Sequence, residues 1–279
     1  MAMYTGNAPA ITPEQVGDLV VQPTLDAATV AEVTTVVPTS SHEYRVPLVT
    51  ADPVAEWVAE GDEINASDAT ITETLVRPAK LAALTIVSRE LAEDSSPSAT
   101  EVVGAGLARD LARKLDAAFF TDVAEPAPRG LATLTGVTTV EAGTLTDLDP
   151  FAEALSEAER YGAEITSFVV GPDLALAVQR LKAGTGSNAP LLGLDATAGT
   201  ARQILGVPLH VNSSVPDHTA WGIPADRVQL VLREDTTLDI DRSVYFTSDR
   251  VAIRATLRAG FAFVHPAALV RIDFTDDEA

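Results

Sequence analysis

Cysteine is absent from this 279-residue chain, which removes disulfides, thiol nucleophiles and thiolate metal sites at once. Stability therefore has to come from packing and from partners. Positive charge is scarce: 19 Lys and Arg face 40 Asp and Glu, a formal net charge of -21. Phosphate binding needs clustered cations that release counterions, so this balance argues against a surface built to grip nucleic acid. Acidity is also ordinary solubility chemistry and identifies no function by itself. The lysines are confined to Lys80, Lys114 and Lys182. No apolar run approaches the ~20 residues that cross a bilayer. Met1 to Ala10 lacks the basic residues and the apolar stretch of a secretory signal, so the expected product is cytosolic. The histidines, His42, His210, His218 and His265, include no i, i+4 metal pair. His210, His218 and Asp217 are close enough in sequence to meet across a loop, but surface or packed histidines are the simpler reading. A Gly-x-Ser-x-Gly nucleophile elbow is missing. Gly184-Thr185-Gly186-Ser187-Asn188 lacks the Gly-Lys-Ser/Thr ending of a phosphate loop. Adjacent acids such as Asp62-Glu63 and Glu234-Asp235 read as solvated turns. No catalytic residue, cofactor or metal site is assigned.

What the chain does have is apolar mass: 46% hydrophobic residues fill one sizeable core or two small ones. Residues 1–43 scatter Pro9, Pro13, Pro23 and Pro38 among Thr and Val with no sustained period, which reads as an extended arm. Tyr44 to Val49 reads as a strand, and β-formers return from Leu75 to Val87. Between them Ala51 to Thr74 is acidic and rich in small residues. An excursion of roughly two dozen residues is unusual inside a compact domain and predicts a projecting hairpin. The strongest helix follows Asp94-Ser95-Ser96. Ser96 or Ser98 supplies an N-cap, and Val103, Leu107, Leu111, Leu115 and Phe119 recur on one face. At ~1.5 Å per residue, some two dozen residues make a rod of roughly 35 Å. It ends in the turn-rich Glu125 to Gly130.

From Leu131 to Ile223 helix and strand alternate. Asp149 is expected to cap a helix starting at Pro150, Ser167 to Val170 forms a short buried strand, and Pro172 opens a helix through Leu174, Val178 and Leu181 that Gly184 closes. Ile204 to Asn212 reads as a strand interrupted by Gly206 and Pro208. Beyond it Val228, Leu230 and Leu232, then Val251, Ile253, Ala255 and Leu257, alternate with their neighbours as half-buried antiparallel strands do. The fold class is α+β, without internal repeats.

This order of arm, hairpin, long helix, α/β lobe and antiparallel strands resembles the major capsid proteins of tailed double-stranded-DNA bacteriophages. Their fold is named after phage Hong Kong ninety-seven, and the resemblance runs from about Tyr44 to Asp273. Trp57-Val58-Ala59-Glu60-Gly61 is similar to the aromatic-acid-glycine motif of that family's extended loop, and Pro78-Ala79-Lys80-Leu81 to its returning strand. Val87-Ser88-Arg89-Glu90-Leu91-Ala92-Glu93-Asp94-Ser95 resembles the approach to the family's spine helix and is the most specific match. Pro128-Arg129-Gly130-Leu131 resembles the turn entering the axial lobe. Ser243 to Phe246, Arg254 to Gly260 including Arg258, and His265 to Val270 resemble the last strands in order and spacing.

The resemblance implies an N-terminal arm over 1–43 and an extended β-hairpin loop over 44–87. It implies a peripheral domain of spine helix and antiparallel sheet over 88–130 and 226–263, and an α/β axial domain over 131–225 and 264–279. It further implies a non-enzymatic shell subunit that closes head to tail into hexamers and pentamers around phage DNA. Such a protein is made in the bacterial cytoplasm and ends in the virion. The assembly candidates are Trp57, Glu60, Gly61, Lys80, Glu90, Leu107, Leu111, Arg254 and Arg258. Implied partners are other copies of the chain, a portal, decoration proteins, and a scaffolding protein that is expected to be separate because only about forty residues precede the hairpin. DNA is enclosed without sequence-specific binding, and no membrane is involved. An encapsulin-like cellular compartment, which shares the fold but encloses enzymes, and a soluble α/β enzyme stay open as alternatives. In some relatives a hairpin lysine is joined to an asparagine of a neighbouring subunit with help from a glutamate. Here the tip has no lysine and Lys80 falls toward the base of the returning strand, so shells without covalent cross-links are expected.

Overall fold

The computed structural model describes residues 22–51, 70–88, 99–182, 202–233, 237–241 and 243–275, with the isolated positions 55, 57, 58, 184, 187, 188, 191 and 192. Strand β12 (Arg250–Phe263) is the axis of a five-stranded sheet. It pairs antiparallel along one side with β4 (Ala79–Ser88), from Arg250 opposite Ser88 to Ala259 opposite Ala79. Its other side carries β10 (Val228–Arg233) and β11 (Thr237–Asp241), both antiparallel. Strand β1 (Thr35–Thr39) adds parallel to β10 at the margin, where Pro38 lacks an N–H that only an interior strand would need. The odd-numbered face of β12, with Ile253, Ala255 and Leu257, lies under the long helix α3 (Ala99–Phe120). The expected half-burial of β12 is corrected, because Ala252, Thr256 and Ala262 on its even face are buried too. The alternation locates the strand but understates its burial, because these small side chains are covered on the second face as well.

The second sheet has six strands in the order β5 (Thr138–Gly143), β13 (Val270–Phe274), β9 (Thr219–Ile223), β6 (Ser167–Val170), β8 (Val207–Val211) and β7 (Gln203–Ile204). Its central strands are apolar on both faces because both are covered. Phe168, Val170 and Ala220 pack with helices α4 (Asp149–Arg160) and α5 (Pro172–Arg180), while Val169 and Trp221 join the core beneath α3. Three local expectations change. The cap of α4 is Leu148, and it is Asp147, not Asp149, whose carboxylate accepts an N–H, that of Asp149 at 3.0 Å. Residues 204–212 are not one interrupted strand: Leu205 and Gly206, with φ of 51° and 84°, turn β7 back on β8 as a two-residue hairpin. Helix α5 ends at Arg180, so Leu181 lies beyond it.

The extended-arm reading fails for residues 22–39. They form α1 (Gln22–Ala27), α2 (Thr29–Val33) and β1, with Ala28, Val30 and Val33 buried in the α3 core. Helices of five and six residues are too short to display a 3.6-residue period. The hairpin reading is also divided. Strand β2 (Tyr44–Ala51) pairs with β3 (Thr70–Val76) as a separate two-stranded sheet, and the chain then crosses at Arg77-Pro78 into β4. The returning strand through Lys80 therefore belongs to the five-stranded sheet.

All these parts meet at the C-terminal half of α3. Leu115 and Phe119 belong to a buried cluster that includes residues of both sheets, and the Phe119 ring lies 4.9 Å from both Phe120 and Phe261 in edge-on contact. Gly130 passes the helix end so closely that a Cβ would sit 2.2 Å from the Ala118 carbonyl oxygen, a position no side chain can take. Asp116 adds a polar bond to this junction. Its Oδ1 accepts the Val30 N–H at 2.9 Å; its Oδ2 accepts the Thr29 N–H at 3.2 Å and Asn212 Nδ2 at 2.6 Å. The carboxylate thus caps α2 from another helix and reaches the chain that leaves β8. Asn212 gives its second amide hydrogen to Thr29 Oγ1 at 2.8 Å, and its Oδ1 accepts the Ser214 N–H.

Two predictions follow from this packing. Leu111 is 1% exposed, whereas Leu107 is only partly buried, although both lie on the stripe read from sequence. Leu111→Asp is expected to abolish soluble subunit, at a cost of several kcal/mol, whereas Leu107→Asp costs about 1 kcal/mol and leaves a folded chain, as circular dichroism of the soluble fractions checks. For Asp116, burial pushes the carboxyl above its usual 3.8 despite the lowering effect of its donors. A raised folded pKa means that its titration-linked stability is full below pH 3.8 and is lost as pH rises through the folded value. Asp116→Asn sets an N–H against donors and should cost about 1–3 kcal/mol. Urea titrations should find the gap to wild type widest in mild acid and narrowing toward neutrality.

Candidate assembly surface

Among the described residues the hairpin of β2 and β3 meets the body through Val46 and Val76, with Tyr44 and Leu48 beside them. Val46 and Val76 pack on Val231 and Ala262, on the face of the five-stranded sheet opposite α3. Gly260 permits that approach, because a Cβ there would stand 2.7 Å from Val76 Cγ1. Cross-strand ion pairs, Arg45 to Glu73 at 3.2 Å and Arg77 to Glu43 at 2.9 Å, dress the exposed ladder and contribute little in water. Trp57 stands fully in solvent at 105% exposure, although tryptophan carries the largest apolar surface of any side chain. Glu60, Gly61 and Glu90 lie outside the described residues.

The remaining candidates fall into two groups. Leu107 and Leu111 face β4 and β12 and serve the subunit's own packing. Lys80 and Arg258 are opposite one another in the β4–β12 register, with Arg254 further along the same face. Arg254 is already engaged within the chain: Nη2 donates to Asp239 Oδ2 at 2.7 Å and Nε at 3.2 Å, across directly paired strands. On that face β4 exposes Leu84 at 62% and Ile86 at 42%. Residue spacing alone did not single these out, although the alternation of β4 contains them.

A cavity of about 230 Å³ opens where β4 begins. Leu81 and Ala259 of the sheet, Leu115 and Ala118 of α3, and Ala124 and Pro126 of the following loop form its mainly apolar lining. Lys80 and Lys114, two of the chain's lysines, also border it.

Three of the histidines make structural contacts. His210 Nδ1 lies 3.0 Å from Glu32 Oε2, His42 Nδ1 bonds Arg233 Nη1 at 2.8 Å, and the His265 ring packs 5.6 Å from Tyr161. His210 is thus tied to α2. Among the described residues no group of three His, Asp or Glu side chains could hold a metal ion, and no helix is long and apolar enough to cross a membrane.

Comparisons with known proteins agree with this architecture. A sequence model of the phage capsid family matches residues 10–274. A search of curated proteins finds no match. Among solved structures, the chain is similar to the capsid of a native GTA particle computed with C5 symmetry, with a TM-score of 0.69, 20% identity, and coverage of 90% of this chain and 91% of that one. A chain from Microbacterium phage Oxtober96 gives a TM-score of 0.73 and 22% identity over 89% of this chain and 91% of that one. A chain from Mycobacterium phage Bobi gives 0.70 and 17% over 90% and 91%. At such identities the likeness shows the fold, the Hong Kong ninety-seven type of mixed helix and sheet. Because the family pattern spans nearly the whole sequence, this chain belongs to the phage capsid family.

Proposed function

We propose that this protein is the major head-shell subunit of a tailed double-stranded-DNA phage, without enzymatic activity, and that its copies close into hexamers and pentamers of an icosahedral shell. The observation that carries this reading is the β2–β3 hairpin, a two-stranded sheet that, among the described residues, packs on Val231 and Ala262 and joins no other sheet of its own subunit. An isolated hairpin is marginal in water. It becomes stable against a neighbouring copy, where interfaces of about 2,000 Å² or more are typical of obligate assemblies. In this reading the five-stranded sheet with α3 is the peripheral part, the six-stranded sheet with α4 and α5 is the axial part, and 44–76 forms the hairpin that overlaps a neighbour. Trp57, Glu60, Gly61, Lys80, Glu90 and Arg258 belong to subunit contacts, whereas Leu107, Leu111 and Arg254 act within the chain. A net charge of -21 suits a container whose wall repels packed DNA rather than holding it. Synthesis in the bacterial cytoplasm, a separate scaffolding protein, a portal and decoration proteins complete the proposal.

Deleting residues 51–69 is expected to leave a folded subunit with native-like circular dichroism that forms no closed shells under the microscope. Intact shells from that deletion contradict the role of the hairpin. Shell strength is expected to be non-covalent, because Lys80 lies in β4 and Lys114 in α3 rather than at a hairpin tip. Wild-type particles boiled in detergent should run as one band near 29.2 kDa. A heat-resistant ladder would show that a lysine does reach an asparagine.

A further inference from the structure

An unpaired strand edge is a row of free N–H and C=O groups, and folded chains blunt such edges with short strands, proline, irregular register or charge. Four margins of the two large sheets follow this rule. Strand β1 has five residues with Pro38, β11 has five with Asp239 and Asp241, β5 has six with Glu141 and a register shift against β13, and β7 has two. Strand β4 does not follow it. It runs ten residues, its register against β12 is unbroken from Ala79 to Ser88, and Lys80 is its one charge. Among the described residues, none of 79–88 makes a backbone hydrogen bond outside the β4–β12 ladder. The side chains along this edge are apolar as well, and Leu84 and Ile86 stand exposed on the open face.

The residue order of β4 fits a second copy of itself. Directly opposed residues of an antiparallel pair share a face, so a twofold axis between two identical strands passes at one residue position. With the axis at Leu84, the open face sets Leu84 against Leu84, Ala82 against Ile86 and Lys80 against Ser88. On the face toward α3, Ala83 meets Thr85 and Leu81 meets Val87. Apolar pairs thus fill the centre, each lysine goes to the rim, and no like charges are opposed. An axis at Ala83 would instead set Lys80 against Ile86, and the acids of β11 and β5 or the proline of β1 offer no comparable match. We infer that β4 pairs antiparallel with β4 of a second copy about a twofold axis at Leu84, which joins the two five-stranded sheets into one. Such a contact is isologous, whereas contacts around a ring of five or six are heterologous, so it links one ring to the next. The loop after α3 shares a cavity with Ala79, Lys80 and Leu81, and the stretch from Ala82 to Ile86 therefore carries the pairing. Lys80 of one copy comes two strands, roughly 10 Å, from Arg250 of the other, about a Debye length, so salt strengthens the contact slightly instead of weakening it. This inference rests on the shell reading and adds to it the edge that joins its rings.

The chain's lack of cysteine makes the test direct. Leu84→Cys, oxidised in assembled particles, should place most of the chain in a dimer band that reduction removes, because the opposed Cα atoms stand about 4.5–5.5 Å apart, within disulfide reach. Ala82→Cys alone should give only a trace, since its two copies lie about 14 Å apart, and adding Ile86→Cys to it should restore the dimer. If Leu84→Cys impairs assembly, that double variant carries the test. Leu84→Lys sets two like charges at the axis and should leave rings of folded subunits that do not close into shells. A dimer from Ala82→Cys as strong as that from Leu84→Cys, no dimer from Leu84→Cys and the double variant, or closed Leu84→Lys shells at the wild-type yield each overturn the pairing while leaving the shell reading intact. A wild-type chain that remains monomeric overturns both.

Discussion

The burial of the C-terminal half of α3 is the constraint on which the rest of the subunit depends. Leu115 and Phe119 share one buried cluster with residues of β10 and β12 and with Val169, Trp221 and Ile223 of the six-stranded sheet. Two sheets that would otherwise each need their own support thus share one core. Chain segments far apart in sequence close it: α2 from the N-terminal side, β12 and Leu269 from the C-terminal side. Asp116 supplies direction where apolar contact alone is permissive. Its two oxygens accept from α2 and from Asn212, so α2, α3 and the chain leaving β8 are held in one arrangement.

A body held this way can carry appendages that are unsatisfied in the isolated subunit. The β2–β3 hairpin, Trp57, and the Leu84 and Ile86 stripe are surfaces that a monomer would have little reason to expose together. They lie at the margins of the body while its interior is closed, which separates folding from assembly. In the proposed reading the subunit folds on its own core, and its copies then bury what remains. Such a division suits a shell built from many identical chains, since each must be soluble before it meets its neighbours.

The parts of this design that the sequence displayed are those with a long period. Five apolar residues at helical spacing located α3, and the alternation from Val251 to Leu257 located β12. The polar excursion between two β-rich segments predicted the hairpin, and family motifs added Trp57, which period alone does not reveal. The short elements escaped. Helices α1 and α2 offer fewer than two turns each, and the turn between β7 and β8 places Leu205 at positive φ, where sequence rules anticipate Gly or Asn. Asp116 looks like any acid on a helix, and only the fold reveals that Thr29 and Asn212 converge on it. The break at Pro78 was visible as a proline. What sequence could not tell is that β4 then pairs with β12 instead of prolonging the hairpin, because strand partners are set by distant packing.

The central claim is that a complete fold within the chain coexists with surfaces that only other copies complete. Electron microscopy of the purified wild-type chain, with sedimentation of the same sample, tests it most directly. The expected result is rings of five or six subunits and closed shells with fivefold vertices, in equilibrium with a folded soluble subunit. A homogeneous monomer that persists at high concentration and across ionic strengths contradicts it.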